Sequence, residues 1–324
     1  MPTPTLTQAL AQFRPRVAGQ RALITGGAGF IGSHLAHALD GLGARVVILD
    51  DLSGGFRENL PARTELIEAS ILDEAALRRA AAGCRWAFHQ AAMVSVPLSV
   101  ERPEECVRVN VVGTERVLSA AREAGVGRVM FAASAAASGD TPRLPSPEAD
   151  PPDPCSPYAM SKVAGELLLR SFSRCYGMST VSLRYFNIFG ARQNPDSPYA
   201  AVVSAFLKAL RGGGAGRRPT IFGDGMQSRD FTHVDNVVLA NLLAATSERP
   251  LAGEVVNIGT GVRTSLLELL SQMARALGED VEPAFGPERA GDVPHSVADI
   301  SAAEALLGYR PVVGLAEGLE ATVR

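Results

Sequence analysis

A glycine-rich turn lies between two apolar runs near the start of the chain, Arg21–Thr25 and Arg45–Leu49. The turn, Gly26–Gly32, follows the first run directly, and a helix is predicted from about Ser33 to Leu42. Short apolar runs between turn signals are typical of buried strands. Strand, glycine turn, helix and strand together predict a βαβ unit that binds a dinucleotide, because glycines let backbone N–H groups approach a pyrophosphate at a helix N-terminus.

An acid stands where such a unit needs one. Asp50 ends the second predicted strand, and Asp51 follows it. In dinucleotide-binding units, an acid about 20 residues after the glycine turn binds the ribose 2′-hydroxyl. A pair of carboxylates would repel a 2′-phosphate, so the sequence predicts NAD rather than NADP as the cofactor.

The alternation of strands and helices continues along the chain. Further strand patterns are Leu66–Ala69, Trp86–Gln90, Val129–Ala133 and Thr180–Tyr185, and helical patterns are Glu74–Ala82, Pro103–Ala124 and Pro157–Arg174. This order predicts an α/β fold with a doubly wound parallel sheet of the Rossmann type. After Asn187 the pattern loosens, and Pro and Gly clusters separate shorter elements. We expect an NAD-binding domain over residues 1–183, to which residues 231–258 return, and a smaller C-terminal α+β substrate lobe over residues 184–324.

A second chemical signal lies in the last long helical pattern. Ser156 can cap its N-terminus, and Pro157 suits its first turn. Tyr158 and Lys162 are then four residues apart on one helical face. An ammonium beside a phenol favours the phenolate over the neutral form, whose pKa is normally about 10. The spacing therefore predicts that Tyr158 is a general base for a substrate hydroxyl.

Composition narrows the possible partners and location. The 324 residues are 46% apolar and 20% charged, with a net charge of −3, and acidic and basic residues are interspersed. Neither a nucleic acid nor a membrane is expected as a partner. The cysteines, Cys84, Cys106, Cys155 and Cys175, have no metal-ligand spacing and fit a reducing cytoplasm, so we expect a cytoplasmic protein without a metal site. His89, at the end of a predicted strand, is expected to be a hydrogen-bonded buried histidine.

Taken together, these residues resemble a known family. The segment Thr25–Gly32, Ser134, and Tyr158 with Lys162 are similar to the extended short-chain dehydrogenase/reductases that act on nucleotide sugars. Three further motifs resemble the UDP-hexose 4-epimerases of that family: Leu183–Asn187, Gly223–Gly225 with Ser228–Phe231, and Arg289–Asp292. The segment Gly291–Ser296 most resembles the subgroup that handles UDP-N-acetylglucosamine and UDP-N-acetylgalactosamine.

The resemblance implies roles for individual residues. Ser134, Tyr158 and Lys162 would be catalytic, with Lys162 also bonding the nicotinamide ribose. The implied cofactor-binding residues are Gly26, Gly29, Phe30, Ile31, Asp50, Ser53, Gly54, Ser70, Ile71, Ala91, Ala92, Asn110, Tyr158 and Lys162. The implied substrate-binding residues are Ser134, Tyr158, Asn187, Tyr199, Ala200, Val203, Arg229, Arg289, Asp292 and Ser296.

The implied substrate residues divide by the part of the nucleotide sugar that they would contact. Asn187, Arg229 and Arg289 would lie at the substrate pyrophosphate, for which a forked guanidinium is well shaped. Asp292 would bind the uridine ribose, and the backbone of Tyr199–Val203 would receive the uracil.

The chain departs from the family pattern at several positions. Ser138 stands where the family usually carries Tyr, and Ser70-Ile71 stands where it usually has an Asp-Ile pair at the adenine. Ala132 and Ala133 replace residues that tend to be Ser or Thr. These departures bear on the adenine contact and the sugar pocket but leave the predicted base in place.

The resemblance implies an NAD-dependent 4-epimerase of UDP-hexoses that acts through a transient 4-keto sugar. Ser296 is small, so the UDP-GlcNAc/UDP-GalNAc pair is expected as substrate, with UDP-Glc/UDP-Gal also accepted. The alternatives are a UDP-glucuronate 4-epimerase or decarboxylase, a 4,6-dehydratase, and a non-catalytic NAD-binding protein. Ala135 and Ala136 stand where dehydratases carry an Asp-Glu pair and decarboxylases a Glu. In this family the helices from Pro103 and Pro157 pair into a four-helix bundle, so a homodimer is expected.

Overall fold

The computed structural model describes residues 6–141, 143–194, 202–211, 218–288 and 293–323. The strands are β1 (Arg21–Thr25), β2 (Arg45–Asp50), β3 (Glu65–Glu68), β4 (Trp86–His89), β5 (Arg128–Ser134), β6 (Thr180–Tyr185), β7 (Ile188–Phe189), β8 (Thr220–Phe222), β9 (Ser228–Arg229), β10 (Thr232–His233), β11 (Ala252–Ile258), β12 (Thr264–Ser265) and β13 (Ala284–Gly286). The α-helices are α1 (Leu6–Ala11), α2 (Arg14–Val17), α3 (Phe30–Gly41), α4 (Glu74–Ala81), α5 (Val96–Glu101), α6 (Pro103–Val107), α7 (Gly113–Glu123), α8 (Pro157–Tyr176), α9 (Val202–Arg211), α10 (Val234–Thr246), α11 (Leu266–Leu277), α12 (Ser301–Leu307) and α13 (Leu315–Val323).

Seven parallel strands form one sheet in the order β11-β6-β5-β4-β1-β2-β3. The strand order reverses between β1 and β4, and ligands of such sheets bind at the carboxyl ends of the strands beside this switch point. Strands β4 and β6 are buried along their whole length, as expected where helices cover both faces. The predicted doubly wound α/β fold is confirmed.

Two apolar cores hold the helices against the sheet. One face packs on α3 and α10 through residues such as Leu35 and Val237. The other face packs on α4, α7 and α8 through Leu77, Leu118 and Leu169. Each fully buried leucine contributes about 1.5–3 kcal/mol relative to an exposed one. This packing fixes α3 and α8 against the sheet, so that both begin at its carboxyl edge.

Helix α3 begins earlier than predicted. It starts at Phe30 rather than Ser33, so Gly32 lies inside its first turn. A Cβ atom on Gly32 would lie 2.2 Å from the Gly26 carbonyl oxygen. The helix therefore packs directly on the glycine turn, which a larger residue would prevent.

The long helix predicted from Pro103 to Ala124 is interrupted. Helices α6 and α7 are joined by a π-helical turn, Arg108–Val112, which contains the buried Asn110. The periodicity of apolar residues does not reveal such a turn, because the helix axis continues through it. Single π-helical turns are frequent at functional sites.

Apart from α10, β11 and α12, the elements after β6 form a smaller α+β lobe of short strands. The pairs β7–β10, β8–β13 and β9–β12 are two-stranded sheets. Helices α9, α11 and α13 share a core with them, formed by Phe189, Phe206, Phe231, Leu269 and Leu319 among others.

The chain crosses between the two parts of the molecule more often than predicted. A boundary after residue 183 would cut β6, which continues to Tyr185. Helix α10 and β11 complete the large sheet and its core, since β11 pairs with β6. Ala303, Leu307 and Tyr309, at the end of the chain, are buried in the same core. Hydrophobic pattern alone does not show which face of the molecule these late segments cover.

Candidate active site

The glycine turn is shaped by close packing at the end of β1. Gly26 has φ +69°, and a Cβ atom on it would lie 2.6 Å from the Ala91 nitrogen. Gly29 precedes α3 in an extended conformation, and a Cβ there would meet the Gly26 carbonyl oxygen at 3.3 Å. Phe30 and Ile31, which open the helix, are half-buried. The turn and the first N–H groups of α3 thus form a backbone cradle that fits a pyrophosphate.

Asp50 ends β2 beside this cradle. Its carboxylate accepts hydrogen bonds from the N–H groups of Ala28 and Leu52, both at 2.8 Å. Burial raises the pKa of Asp50, and these two hydrogen bonds partly offset that rise. The neighbouring Ser53 donates to Asp51, and Gly54 is exposed. The acid at the end of β2 is therefore held beside the glycine turn, and its contact with the ribose stays a prediction.

The three predicted catalytic side chains meet at the carboxyl edge of the sheet. Ser134 ends β5, and its hydroxyl is close enough to the Tyr158 phenol to lower the pKa of that group. The Lys162 ammonium nitrogen lies 5.7 Å from the centre of the Tyr158 ring and donates to the Ala132 carbonyl oxygen at 2.8 Å. The structure thus brings a hydroxyl, a phenol and an ammonium together around one point.

Burial controls the protonation of this group. It raises the pKa of Tyr158, which the nearby Ser134 hydroxyl lowers in part. It lowers the pKa of Lys162 to about 8, while Cys106 and Glu166 act in the opposite direction. In the chain without cofactor the phenol pKa is therefore raised, because desolvation is the largest cause. The expectation that Lys162 favours the phenolate concerned the site with a cofactor bound, and it stays a prediction.

A buried ion pair lies one helical turn beyond Lys162. Arg184 on β6 binds both carboxylate oxygens of Glu166 at 2.7 and 2.8 Å. Arg184 offsets most of the negative charge of Glu166, so this carboxylate stabilises the charged form of Lys162 only weakly. A bidentate pair of this kind also fixes α8 against the sheet.

Serine side chains hold the start of α8. Ser156 caps the helix by accepting a hydrogen bond from the Ala159 N–H at 3.1 Å, as predicted. Ser99 on α5 accepts from the Tyr158 N–H at 3.1 Å. Ser161 donates to the Tyr158 carbonyl oxygen at 2.7 Å. The backbone of Tyr158 is thus held on both sides, which limits how far its ring can move.

Asn110 connects this helix to the loop after β4. Its side-chain oxygen accepts from the Met93 N–H at 2.7 Å, and its nitrogen donates to the Met93 carbonyl at 3.0 Å and to Ser161 at 2.9 Å. Asn110 therefore positions Ser161 and the loop beside the cradle, and its predicted contact with the cofactor stays a prediction.

His89 is the hydrogen-bonded buried histidine that the sequence predicted. Thr114 donates to the Asn110 carbonyl at 2.6 Å, so its oxygen accepts from His89 Nε2 at 2.9 Å. Nδ1 of His89 then accepts from Thr25 at 2.7 Å. Burial lowers the pKa of His89 to about 3, which keeps the ring neutral. The histidine links the end of β1 to the π-helical turn.

The other predicted cofactor residues differ in how exposed they are to solvent. Ala91 and Ala92 are half-buried beside the glycine turn, and Ser70 is half-buried and accepts from the Leu72 N–H at 3.2 Å. Ile71 is 4% exposed and belongs to the apolar core. Its side chain is turned away from solvent, so an adenine contact at Ile71 would come from its backbone.

Arg229 and Ser296 lie close together in the small lobe. Arg229 donates to the carbonyl oxygens of Ser228 at 2.9 Å and Pro294 at 3.1 Å. The Ser296 N–H donates to the Ser228 carbonyl at 3.0 Å. Asn187 is half-buried with φ +36°, a left-handed conformation that asparagine tolerates.

The remaining predicted substrate residues are either buried or outside the described part of the chain. Val203 is buried in the lobe core, so its side chain cannot reach a ligand. Tyr199, Ala200, Arg289 and Asp292 lie outside the described residues.

Several residues that position the site were missed by sequence reasoning. Ser99, Ser161, Met93 and Thr114 act through hydrogen bonds to residues distant in the chain or to backbone groups. Serine and threonine are common on helices, so composition and spacing carry no signal for such contacts. Only Ser161 stood inside a recognised motif, between Tyr158 and Lys162.

The comparisons with known proteins agree with this geometry. Residues 22–259 match the model of the NAD dependent epimerase/dehydratase family, and the chain belongs to that family. The predicted enzyme class, an NAD-dependent epimerase of the extended short-chain dehydrogenase/reductase type, is confirmed, and its cofactor is NAD.

Individual relatives cover almost the whole chain. A UDP-glucose 4-epimerase of Mycolicibacterium smegmatis is 42% identical over 94% of this chain and 97% of its own. The solved structure of a UDP-N-acetylglucosamine 4-epimerase from Methanobrevibacter ruminantium, in complex with UDP-N-acetylmuramic acid, has a TM-score of 0.89 at 37% identity over 94% of this chain and 97% of its own. A UDP-glucose 4-epimerase of Thermus thermophilus in complex with NAD has a TM-score of 0.84 at 36% identity over 94% of this chain and 98% of its own.

Two structural observations concern membranes and metals. No helix in the described part of the chain combines the length and apolar character needed to cross a membrane. The described residues also contain no group of three or more histidine, cysteine, aspartate or glutamate side chains arranged to hold a metal ion.

Proposed function

We propose that this enzyme inverts C4 of a UDP-hexose through a transient 4-keto sugar. The observation that carries the proposal is the meeting of Ser134, Tyr158 and Lys162 at the carboxyl edge of an NAD-binding sheet. Tyr158 takes the proton of the 4-hydroxyl, and Ser134 hydrogen-bonds the same hydroxyl. Bound NAD supplies the acceptor and donor of the hydride, which is the part of the chemistry that protein side chains cannot perform.

The protonation states of Tyr158 and Lys162 agree with these proposed roles. Tyr158 is neutral in the chain alone, because burial raises its pKa. A positively charged nicotinamide beside the phenol would favour the phenolate, as would the Lys162 ammonium. Lys162, with its pKa lowered to about 8, is protonated at neutral pH. Ser134 and Lys162 therefore support Tyr158 as a base that takes the 4-hydroxyl proton during oxidation and returns it to the sugar oxygen when the 4-keto sugar is reduced.

The backbone cradle and Asp50 are the proposed NAD contacts. Gly26, Gly29, Phe30 and Ile31 would hold the pyrophosphate, and Asp50 would bind the adenosine ribose. The other predicted cofactor positions lie in the segments that follow β2, β3 and β4: Ser53, Gly54, Ser70, Ile71, Ala91 and Ala92. A test is competitive titration of the protein stripped of nucleotide: NAD should bind more tightly than NADP, and the reverse order would remove the ribose role of Asp50.

On the substrate side, we propose that the small lobe anchors the UDP group. Arg229 and Asn187 would lie at its pyrophosphate, as would Arg289, while Asp292 would contact the uridine ribose. Ser296, held next to Arg229 by the backbone of Ser228, would stand beside the sugar. Its small side chain favours acceptance of the N-acetylated pair in addition to UDP-Glc/UDP-Gal. Relatives that carry each specificity support both assignments.

A second candidate within the same family is a reaction at C6 of the sugar. Dehydration or decarboxylation needs an acid after Ser134, and Ala135 and Ala136 occupy those positions. Epimerisation needs only the base, the hydroxyl and a returning hydride, so these alanines favour it.

We also propose a cytoplasmic homodimer. Helices α6 and α8 pack side by side and expose apolar side chains: Val107 is 37% exposed, Leu167 57% and Met160 39%. A second copy meeting this face would complete a four-helix bundle. Analytical ultracentrifugation should give a dimer for the wild type and a monomer for Leu167→Glu, and a monomeric wild type would contradict the proposal.

The function is tested by incubating the purified protein, without added cofactor, separately with UDP-Glc, UDP-GlcNAc and UDP-GlcA. Proton NMR of the anomeric region should show conversion of the first two to their C4 epimers until equilibrium is reached. Release of a pentose or a 6-deoxy sugar nucleotide would overturn the assignment in favour of the C6 chemistries. No turnover of any of the three would favour a non-catalytic NAD-binding protein.

A further inference from the structure

A loop of the small lobe contacts the first two turns of α3, away from the reacting atoms. We call Gly190–Asn194 the bridging loop. His34 Nε2 donates to the Ala191 carbonyl oxygen at 2.9 Å, and Arg192 Nε donates to the Ser33 hydroxyl at 3.0 Å. Because α3 begins at the glycine turn, the bridging loop contacts the helix whose N-terminus we assign to the NAD pyrophosphate.

These contacts are directional and constrained. Ser33 is fully buried and donates its proton to the Phe30 carbonyl at 2.9 Å, so its oxygen can only accept from Arg192. Arg192 has φ +64°, a left-handed conformation that is unfavourable for a non-glycine residue. Burial lowers the pKa of Arg192, and the charge of Asp235 partly offsets this. A strained residue that is kept in place by specific bonds indicates a functional constraint.

The same loop is bonded to the substrate side. Gln193 accepts a hydrogen bond from Ser204 of α9 at 2.9 Å and donates to the Ile188 carbonyl at 3.2 Å. Ser204 follows Val203, near the start of α9. A continuous series of bonds therefore runs from α3 through the bridging loop to the helix that follows the predicted uracil contact.

We propose that Arg192 and His34 are positioning residues through which UDP-sugar binding holds NAD more tightly. A UDP group that orders the start of α9 also orders Gln193, and the bridging loop then restrains the first turns of α3. The inference rests on the proposed UDP-sugar function. By linkage, bound NAD must strengthen UDP binding by the same factor. Such coupling would keep the cofactor in place while the 4-keto sugar turns over.

The test measures exchange of bound NAD. Wild-type holoenzyme is mixed with isotopically labelled NAD, and the rate of label uptake is measured with and without saturating UDP. We expect UDP to slow exchange at least about fivefold in the wild type, within the usual range of coupling between sites. In Arg192→Ala the slowing should fall below about twofold. Ser33→Ala, which removes the acceptor and keeps the arginine, should lose the coupling to the same extent.

Arg14→Ala is the matched control, because Arg14 donates to the Gly41 carbonyl oxygen at 2.9 Å, at the other end of the same helix. It should retain the wild-type slowing. Equilibrium dialysis with labelled UDP is run on every variant. Absence of UDP binding to the wild type would overturn the proposed function and the coupling with it. Normal UDP binding with no slowing in the wild type, or with equal slowing in Arg192→Ala, would overturn the coupling alone.

Discussion

The large sheet and the small lobe are stabilised in different ways. In the sheet, the central strands β1, β4, β5 and β6, of four to seven residues, are buried on both faces and packed between helices. In the lobe, the two-residue strands β7, β9, β10 and β12 depend on buried polar groups. Asp230, fully buried, accepts hydrogen bonds from Thr260, Gly261 and Ala298. The difference shows that apolar packing dominates the cofactor platform, whereas the substrate lobe joins its short segments through hydrogen bonds to one buried carboxylate in addition to its apolar core.

The largest expected effect is loss of this carboxylate. Asp230→Ala leaves the buried N–H group of Ala298 and the part-buried N–H groups of Thr260 and Gly261 without their acceptor, and a buried unsatisfied group costs about 1–3 kcal/mol. We expect the free energy of unfolding, from urea titration, to fall by about 4 kcal/mol, the scale of a broken buried polar network.

Asp224 offers a control for that change. It is exposed and accepts from a single N–H group, that of Met226, at 2.8 Å. Asp224→Ala should change stability by less than about 1 kcal/mol. Equal losses in the two variants would contradict the structural role given to the hydrogen bonds of Asp230.

The next prediction separates a loss of catalysis from a loss of stability. Tyr158→Phe keeps the ring and the backbone bonds to Ser99 and Ser161 but removes the base. We expect kcat to fall by at least ~10²-fold, the usual contribution of a general base. Bound NAD and the unfolding midpoint should stay near those of the wild type. Near-normal turnover would remove Tyr158 from the mechanism.

A smaller change concerns selectivity within the lobe. Ser296→Tyr adds a ring next to Arg229, on the proposed path of the sugar's 2-substituent. We expect kcat/KM for UDP-GlcNAc to fall about 10-fold or more while that for UDP-Glc falls less than about threefold, as steric discrimination in a pocket allows. Equal loss on both substrates, or none on either, would refute the role of Ser296 as a gate.

The smallest effect concerns pH at the junction of the two parts. Burial raises the pKa of Asp235 to about 6, while Arg192 opposes the rise. Such a carboxyl contributes stability that is present below its unfolded pKa and is lost as pH rises through about 6. Asp235→Asn should therefore be more stable than the wild type at pH 7.5, by about 1 kcal/mol, and the difference should disappear near pH 4. Thermal unfolding at both pH values checks this, and a variant less stable at pH 7.5 would contradict it.

The contrast between the large sheet and the small lobe explains which features could be predicted from the sequence. The buried strands, the glycine turn, Asp50 and the Tyr158/Lys162 pair follow from local spacing, so they could be identified without a structure. The π-helical turn, the Ser99 contact and the amide bonds of Asn110 depend on where distant segments meet. The raised pKa of Tyr158 depends on burial, which spacing does not encode. The polar centre at Asp230 gives no periodic pattern, so the structure of the lobe could not be predicted in detail.

The central claim is that the C4 hydrogen leaves as hydride, stays on bound NAD and returns to the opposite face of the same sugar. The most direct measurement uses UDP-glucose carrying deuterium at C4, incubated with the wild-type enzyme in ordinary water. The account predicts UDP-galactose that retains the deuterium at C4 by NMR and mass spectrometry, because only the hydroxyl proton passes through Tyr158. Replacement of the deuterium by solvent hydrogen would show that C4 loses a proton rather than a hydride, and would contradict the mechanism.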